Sequence, residues 1–435
     1  MWTHRRSGLH HQRSAEDHRE PYERDKTRVI HCPAFRRLQR KTQILGADSG
    51  DFHRTRLTHS LEVASIACSI VRNLASNPET SLLAGILPNE DLISTISLLH
   101  DIGHPPFGHS GEVALNLMMR EAGGFESNGQ TLRLLTKLET SYGTYGLDLT
   151  RRSLLGILKY PVNRNQVVAP IQPELLSSQH PTCRINDWLP PKAYFNSEQA
   201  EIDWLLSPFN NADRELFQSL QKVPQGQHHG ESAYHTFDCS IMDIADDIAY
   251  GVHDLEDAIH LQLITRDQVD NAQLRACLHN SGLASPHNTL LNQLFSPDIH
   301  LRKQAIGTLV NYLITSIQCV TTDEAFHASL FKHNIALSAE AKLLLDYLKD
   351  TIYHYVISAP SARDAEHHAQ SVIIRLFDTI CASPQTLLEA HSLQNYNNAK
   401  NELEGFRVIC DFIANMTDEG AYRMHGRLMS EYTVS

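Results

Sequence analysis

The chain has 435 residues, of which 41% are hydrophobic and 20% are charged, a composition typical of globular proteins with a sizeable core. Its net charge of −12 argues against bulk electrostatic binding of nucleic acid. The eight cysteines are scattered without a C-x-x-C pair, which indicates a reduced cytoplasmic protein rather than a disulfide scaffold. No run of about 18 apolar residues occurs, so we expect no membrane helix.

The N-terminal segment, residues 1–25, is polar and rich in His and Arg, and it predicts an N-terminal arm that is loose or held by a partner. It has no apolar core, so we expect no secretory signal. The adjoining stretch 24–56 is basic, with nine Lys/Arg and three Asp. A solvated surface with local salt bridges explains such a stretch, and a nucleic-acid contact is the alternative.

Most longer segments after the arm carry helical periodicity. The clearest are 57–74, 91–103, 110–123 and 240–263, followed by further amphipathic stretches in the C-terminal third. The first is apolar over more than half its circumference, which is typical of a core helix. The second ends at Gly103, just before a Pro-Pro pair. The third begins at Ser110, which we expect to act as its N-cap.

Two segments interrupt the helical pattern. Residues 161–191 contain six prolines and predict a Pro-rich loop, and residues 221–235 also predict a loop. No sustained period-2 alternation or internal repeat is present. We therefore predict an all-α fold, with a main helical core at 26–262 and a C-terminal helical region at 263–435 packed on that core.

Candidate metal ligands occur on two of these helices. His59 lies four residues before Val63 on an apolar stripe, so it faces the core. A lone histidine there is usually a hydrogen-bonded core residue. The adjacent His100 and Asp101 favour another interpretation, because they end an apolar helix where it can face a cavity. Imidazole nitrogen and carboxylate oxygen are together the ligands of divalent cations.

The helix 240–263 offers a further ligand. Its acidic residues are Asp243, Asp246, Asp247, Asp254 and Asp257. A solvated acidic face would explain them equally well. However, Asp246, Tyr250 and Asp254 follow one another at four-residue intervals and share one face, as a ligand wall would require. Two His and two Asp would give four metal ligands and leave positions for water or phosphate.

These residues belong to a wider resemblance. The blocks that carry it, in chain order, are AFRRLQRKTQIL (34–45), HRTRLTHSLEVASIA (53–67), LLHDIGHPPFGHSGE (98–112), GGFESNGQTLRLL (123–135), LLGILKYP (154–161) and DIADDIAYGVHDLEDA (243–258). Together they resemble the HD-domain deoxyguanosine-triphosphate triphosphohydrolase (dNTP triphosphohydrolase) family over about residues 22–260. The resemblance implies an HD-domain helical core with additional C-terminal helices. It also implies metal-dependent hydrolysis of dGTP or other dNTPs at the α-phosphate, giving deoxynucleoside and inorganic triphosphate.

The resemblance implies roles for the metal and catalytic residues. His59, His100, Asp101 and Asp246 would hold a divalent ion, with Asp246 preferred to Asp247 because Tyr250 then lies one turn later, as in the family. His109 would be the acid–base residue or nucleophile, and Glu112 would orient it. The ion could be Mg, Mn, Fe, Co or Ni, and the ligand set does not choose among them.

The resemblance also implies substrate contacts. The triphosphate would be bound by Arg56, His104, Lys159, Tyr160 and Lys192. The deoxyribose would contact Gln43, Tyr250 and Asp254. In the absence of the resemblance, each lysine reads as a solvated surface residue. A tyrosine ring against C2′ would leave no space for a ribose hydroxyl, which favours dNTPs over NTPs.

The family implies partners and leaves alternatives open. We expect a dNTP substrate, a homo-oligomer such as a tetramer or hexamer, and no membrane. A nucleotide activator and single-stranded nucleic acid are further candidate partners, and the preferred base is open. The alternative functions are another HD-domain phosphohydrolase, either a 5′-nucleotidase or a phosphodiesterase, and a nucleic-acid-binding protein with a secondary HD site.

Overall fold

The computed structural model describes residues 1–8, 17–43, 54–77, 83, 85–171, 185–285 and 289–430. Helices dominate this part of the chain, which confirms the prediction of an all-α fold. The strands that accompany them form two small two-stranded antiparallel sheets. None of the helices in the described ranges combines the length and the apolar character that crossing a membrane requires.

The helices up to residue 260 build the region that carries the candidate ligands. They are α1 Pro21–His31, α2 Pro33–Arg37, α3 Arg56–Ser76, α4 Glu90–Leu99, α5 Gly108–Met118, α6 Ser127–Arg133, α7 Arg151–Ile157, α8 Arg164–Val167, α9 Gln199–Leu206, α10 Asn211–Phe217, α11 Phe237–Ile248 and α12 Asp254–His260. Short 3₁₀ turns lie at Leu38–Arg40, Thr140–Tyr142, Ile185–Asp187 and Asn196–Glu198. π-helical segments lie at Leu134–Leu138 and Ala249–His253.

Further helices follow in the C-terminal part. They are α13 Arg266–Val269, α14 Ala272–Asn280, α15 Thr289–Leu294, α16 Ile299–Thr315, α17 Ser329–Lys332, α18 Ala339–Ile352, α19 Pro360–Ala382, α20 Pro384–Leu387, α21 Ala390–Asn397, α22 Glu402–Ala414 and α23 Asp418–Ser430. A third π-helical segment, Tyr353–Ile357, follows α18. The strands are β1 Leu220–Lys222, β2 Glu231–Ser232, β3 Ile317–Thr321 and β4 His333–Leu337.

The centre of the molecule is the packing of α3 against α4 and α11. Each of these helices begins at a side chain that accepts a backbone N–H: Thr55 from Thr58, Asn89 from Leu92 and Thr236 from Cys239. Such N-caps fix where a helix starts, because they satisfy amides that have no partner within the helix. The three helices bury their apolar stripes against one another, and this packing places the candidate ligands at one meeting point.

The predicted helix 240–263 corresponds to a continuous helical run from Phe237 to His260, and its middle is π-helical. The segment Ala249–His253 separates α11 from α12. A π turn holds more residues than an α turn, so it rotates the residues that follow it relative to those before it. The four-residue spacing that placed Asp246 and Asp254 on one face therefore passes through an irregular turn, and Tyr250 lies in that turn.

The buried apolar side chains form two principal clusters. The larger one runs from Val29 to Val356 and includes residues on both sides of position 262. The second unites α5 with α19, α22 and α23 and extends from Ala114 to Leu428. The predicted C-terminal region thus contributes to both clusters, and its boundary at 262/263 stays a prediction.

The N-terminal arm is only partly within the described residues. Residues 1–8 contact the core rather than lying loose: Arg5 Nη1 is 2.6 Å from the buried Asp25 Oδ1, and the ring of Trp2 is 5.9 Å from that of Phe209. Residues 9–16 lie outside the described residues. Of the predicted Pro-rich loop 161–191, the described part contains α8 and one 3₁₀ turn, and residues 172–184 lie outside it.

Two local predictions were wrong. The predicted loop 221–235 holds most of a short hairpin, in which Leu220 pairs with Ser232. Ser110 does not cap α5, because the helix begins two residues earlier at Gly108. Phe107 precedes it with φ 64°, a left-handed conformation that the sequence pattern does not indicate. The strands of the hairpin were missed because a strand of two or three residues is too short to show alternation in the sequence.

A buried ionic cluster joins the helical core to α22. The Arg133 guanidinium donates to Asp411, with Nη2 2.7 Å from Oδ2, and its Nη1 lies 2.9 Å from Glu198 Oε1. The side chains of Arg133 and Asp411 are only 12% and 9% exposed. Removing one partner of such a pair leaves a buried charge without its counterion.

We expect Asp411→Ala to lower the free energy of unfolding by about 3 kcal/mol, because Arg133 loses a bidentate carboxylate in a poorly solvated place. Urea unfolding followed by circular dichroism measures this. The matched control is Asp346→Ala, which breaks an exposed i,i+4 pair with Lys342 and should leave the unfolding midpoint unchanged. Equal midpoints for both variants would contradict a stabilising role of the cluster.

Candidate metal centre and phosphate site

Three predicted ligands meet where α3, α4 and α11 pack together. One ligand atom from each of His59, His100 and Asp246 lies within 4.8 Å of the others. His59 Nε2 is 2.8 Å from Asp246 Oδ1, and His100 Nε2 is 3.6 Å from the same oxygen. Burial raises the pKa of Asp246, but His100 and His59 outweigh it and lower this pKa, so the carboxylate is ionised.

The His100 imidazole is oriented as a metal ligand would be. Its Nδ1 lies 2.7 Å from the Ser97 carbonyl oxygen, which can only accept, so Nδ1 carries the proton. A metal ligand would use the other nitrogen, Nε2, which is buried without a hydrogen-bond partner. A carbonyl that fixes the tautomer of a histidine is a common outer-shell feature of metal sites. The donor set therefore fits a divalent cation.

Asp101, the fourth predicted ligand, lies beside this group. Its Oδ1 is 3.6 Å from His100 Nε2 and 3.0 Å from His104 Nδ1, and its Oδ2 is 2.6 Å from Arg56 Nη1. Burial raises the pKa of Asp101, but His104 and Arg56 hold it well below its ordinary value. Burial and Arg56 lower the pKa of His104 to about 4. At neutral pH His104 is therefore a neutral donor, and Arg56 supplies the positive charge.

His109 stands apart from these buried groups because its side chain is 76% exposed. Its Nδ1 is 3.0 Å from Oε2 of Glu112, which is 2% exposed, and Oε1 of the same carboxylate accepts the Ser127 N–H at 2.7 Å. Burial raises the pKa of Glu112, but Lys192 and His109 hold it well below its ordinary value. An ionised, anchored carboxylate thus orients the imidazole.

The turn before His109 packs directly on Arg56. Gly108 has φ 56°, and a Cβ built on it would lie 2.5 Å from Arg56 Nη2. Both the left-handed backbone and the close guanidinium require glycine at this position. The Arg56 guanidinium consequently connects Asp101 with the turn that leads into α5. The His104 and His109 rings lie 5.3 Å apart, so these groups form one continuous site.

The predicted triphosphate contacts line the other side of the site. Lys159 forms an ion pair with Asp243, one turn before Asp246 on α11. Lys192 Nζ lies 3.2 Å from Glu126 Oε1 and 3.6 Å from Glu112 Oε1. Burial lowers the pKa of Lys159, but Asp243 outweighs it and holds the pKa well above its ordinary value. Both lysines are therefore cations already held by carboxylates.

Tyr160 lies between the two lysines. Lys159 Nζ is 6.0 Å from the centre of its ring, and both Lys159 and Lys192 lower the pKa of its hydroxyl, although burial outweighs them and raises it. The structure thus brings Lys159, Tyr160 and Lys192 into one neighbourhood. Lys159 pairs with Asp243 on α11, and Lys192 lies beside Glu112, which holds His109.

The three predicted sugar contacts are half-buried or buried. Burial raises the pKa of Tyr250 to about 12 and that of Asp254 to about 7. The Asp254 Oδ2 and Gln43 Oε1 atoms are buried without hydrogen-bond partners. Asp254 also has a neighbour that the sequence analysis does not predict: Arg54 Nη1 lies 3.4 Å from its Oδ1 and 2.6 Å from Asp257 Oδ2. Arg54 is in the same block as Arg56, but no spacing rule distinguishes it.

Comparisons with known proteins agree with this geometry. The HD domain family model matches residues 56–144, and the phosphohydrolase-associated domain model matches residues 335–427. The deoxyguanosinetriphosphate triphosphohydrolase-like protein 1 of Vibrio cholerae serotype O1 is 42% identical over 431 residues, which cover 98% of this chain and 96% of the relative. The deoxyguanosinetriphosphate triphosphohydrolase-like protein of Shewanella baltica is 43% identical over 443 residues, covering 99% and 96%.

The chain belongs to the deoxyguanosinetriphosphate triphosphohydrolase-like family of HD-domain phosphohydrolases. The predicted family is thereby confirmed. HD domains are metal-dependent phosphohydrolases, and the cluster of His59, His100 and Asp246 is the candidate metal site. The matched HD segment 56–144 contains both histidines, whereas Asp246 comes from a helix beyond it. The candidate metal site therefore depends on the fold outside the matched segment.

We expect His100→Ala and Asp246→Asn each to weaken Mn²⁺ binding by more than about 100-fold. Even the loss of an outer-shell partner lowers the metal affinity of a site by up to about 100-fold, and these residues would be direct ligands. Electron paramagnetic resonance of free Mn²⁺ in a titration measures this without any turnover. The matched control is His327→Ala, which removes an exposed histidine that pairs with Asp213. Wild-type affinity in both site variants would show that Mn²⁺ binds elsewhere.

Proposed function

We propose that this protein hydrolyses deoxynucleoside triphosphates, dGTP or other dNTPs, to deoxynucleoside and inorganic triphosphate. The observation that carries the proposal is the site itself: an exposed His109 held by buried Glu112, next to a candidate metal cluster and two partly buried lysines, Lys159 and Lys192. The name of the relatives supports the substrate class, because it refers to a deoxyguanosine triphosphate. Water attacks the α-phosphorus, the bond to the 5′ oxygen breaks, and that oxygen takes a proton.

The metal site would be formed by His59, His100, Asp101 and Asp246. A divalent ion there would polarise the α-phosphate and lower the pKa of a bound water. Mg, Mn, Fe, Co and Ni all accept imidazole and carboxylate ligands, so the choice among them is open. Within this set, Asp101 also holds Arg56 and His104 beside the metal ligands, through Arg56 Nη1 and His104 Nδ1.

His109 is the residue that we propose moves a proton. Its Nδ1–H donates to Glu112, so its Nε2 is free to accept a proton or, once protonated, to donate one. The buried carboxylate stabilises the imidazolium that forms. This arrangement fits either transfer from the attacking water or transfer to the 5′ oxygen.

Binding a triphosphate requires positive charge, because the product carries about four negative charges at neutral pH. Arg56 offers a planar guanidinium suited to bidentate phosphate contacts. The Nδ1–H of His104 already faces Asp101, so His104 would donate to a phosphate oxygen from Nε2 only when its ring is protonated. We propose that Lys159 and Lys192 exchange their present carboxylate partners for phosphate oxygens, with Tyr160 between them. Each lysine would then stay paired with an anion when the substrate is bound.

The deoxyribose is proposed to lie against Tyr250, with Gln43 and Asp254 on its 3′-hydroxyl. The unpartnered Gln43 Oε1 and Asp254 Oδ2 support this, because a sugar hydroxyl would satisfy buried acceptors. The raised pKa of Asp254, about 7, means that this carboxyl can also donate a hydrogen bond near neutral pH.

The basic stretch 24–56, which suggested nucleic-acid binding, gives that alternative little support in the structure. Seven of its nine cations pair with carboxylates: Arg24 with Asp17, Lys26 with Asp91, Arg28 with Asp148, Arg37 with Glu139, Arg40 with Glu419, Arg54 with Asp257 and Arg56 with Asp101. Lys41 is buried. Charges that are already paired attract a phosphate backbone weakly. Single-stranded nucleic acid therefore stays a secondary proposal.

Other partners are proposed from the family alone. These are a homo-oligomer, a tetramer or hexamer, and a nucleotide activator, which a mixture of dNTPs would reveal by stimulating turnover of each. A cytoplasmic location is proposed as well, and it agrees with the unpaired thiols of the described cysteines.

We expect each dNTP that is turned over, with Mg²⁺ or Mn²⁺, to give deoxynucleoside and intact triphosphate on ion-exchange chromatography. His109→Ala should lower kcat by about 10²- to 10⁴-fold, because it removes the proton-transfer group. The control is His327→Ala, which removes an exposed histidine that is not among the proposed site residues. Phosphate or pyrophosphate as the product would instead indicate a nucleotidase or phosphodiesterase among HD enzymes.

We expect Tyr250→Ala to relax the preference for dNTPs over NTPs by about tenfold or more, since the clash with a 2′-hydroxyl disappears with the ring. Tyr250→Phe keeps the ring and should keep the preference. The measurement is the ratio of kcat/KM for dGTP and GTP in the three proteins. An unchanged ratio in Tyr250→Ala would refute the proposed steric exclusion.

A further inference from the structure

One carboxylate near the C-terminus touches two segments of the candidate site. Asp418 begins α23, and its Oδ2 accepts the Thr42 N–H at 2.9 Å while its Oδ1 accepts the Phe107 N–H at 2.9 Å. Thr42 directly precedes Gln43, the proposed sugar contact. Phe107 lies two residues before His109, the proposed proton-transfer residue. A single side chain from α23 thus connects both.

The Phe107 contact supports a strained backbone. Its φ of 64° is a left-handed conformation that a bulky residue adopts only when its surroundings enforce it. The surroundings here are Asp418, which binds the N–H, and Tyr422 on the same helix, whose ring centre lies 4.7 Å from that of Phe107. The turn aims the first residues of α5, so its conformation sets the direction of His109.

A buried lysine ties the same segments together a second time. The Lys41 Nζ donates to the His104 carbonyl at 2.6 Å and to the Ala414 carbonyl at 2.9 Å. Its side chain is 3% exposed, so these bonds replace solvation. The turn 104–107 and the segment 41–42 are therefore fixed jointly on the end of α22 and the start of α23.

We propose that Asp418 is a positioning residue for the phosphohydrolase reaction, holding the Gln43 segment and the His109 turn in register with each other. This inference rests on the proposed function. The hydrogen bonds of Asp418 go to the backbone N–H groups of Thr42 and Phe107, and the residues proposed to bind the metal lie on other segments. A displacement of about 1 Å at a reacting group can lower a rate by about 100-fold.

The test compares Asp418→Ala and Asp418→Asn with a matched control, Glu419→Ala. Glu419 is the next residue of α23, and it forms an exposed pair with Arg40, at 3.0 Å. The readouts are kcat and KM for dGTP and the other dNTPs, Mn²⁺ affinity, and hydrogen exchange of the peptides that contain Thr42 and Phe107.

We expect Asp418→Ala to lower kcat by at least about tenfold, with a smaller change in KM and unchanged Mn²⁺ affinity. Exchange should accelerate in both peptides and not throughout α22 and α23. Asp418→Asn keeps one acceptor oxygen and the same shape, so its kcat should lie between those of Asp418→Ala and the wild type. Glu419→Ala should match the wild type in every readout.

If the wild type hydrolyses dNTPs and Asp418→Ala has the same kcat, the positioning role is overturned and the proposed function stands. Loss of kcat with exchange rising evenly over the C-terminal helices would overturn it as well, because it indicates general destabilisation. If Asp418→Ala does not fold, the Asn variant decides on the same criteria. A wild type that hydrolyses no dNTP overturns the proposed function, and with it this role.

Discussion

The contact on which the site depends is the one between His59 and Asp246, which joins α3 to α11 inside the core. His59 is fully buried and its Nε2 is satisfied by the Asp246 carboxylate, which remains 29% exposed. Every other group of the site is arranged outward from this pair: His100 beside Asp246, Asp101 beside His100, and then Arg56 and His104. The apolar packing of three helices thus determines where a highly polar cluster lies.

Beyond the ligands, the site is a chain of alternating charges. Lys159 rests on Asp243, Lys192 on Glu112 and Glu126, and Arg56 on Asp101. Each carboxylate keeps a cation in place that would otherwise extend into solvent. An anionic substrate entering such a site meets charges whose positions are already fixed, so little reorganisation is needed when it binds.

The sequence supported the all-helical fold and the positions of the main helices, because these depend on local periodicity and stops. It also pointed to His59, His100 and Asp246, since a resemblance in ordered blocks is specific. It did not indicate Arg54, Lys41 or Asp418, whose partners are distant: Asp418 lies 311 residues from Phe107 and 376 from Thr42. No local spacing rule can predict contacts at that separation. The prediction of the α5 N-cap was wrong for a related reason. The left-handed backbone conformation of Phe107, which precedes α5, is held by contacts from α23 and not by its neighbours in sequence.

The second apolar cluster has a consequence for how such proteins can evolve. It consists of α5 on one side and α19, α22 and α23 on the other, so neither group has a complete core alone. The two family-model matches, 56–144 and 335–427, therefore describe recurring sequence and not exchangeable parts. A recombination event that joined this HD segment to an unrelated partner would uncover the apolar face of α5. In this chain each of the two segments therefore needs the other to cover its apolar surface.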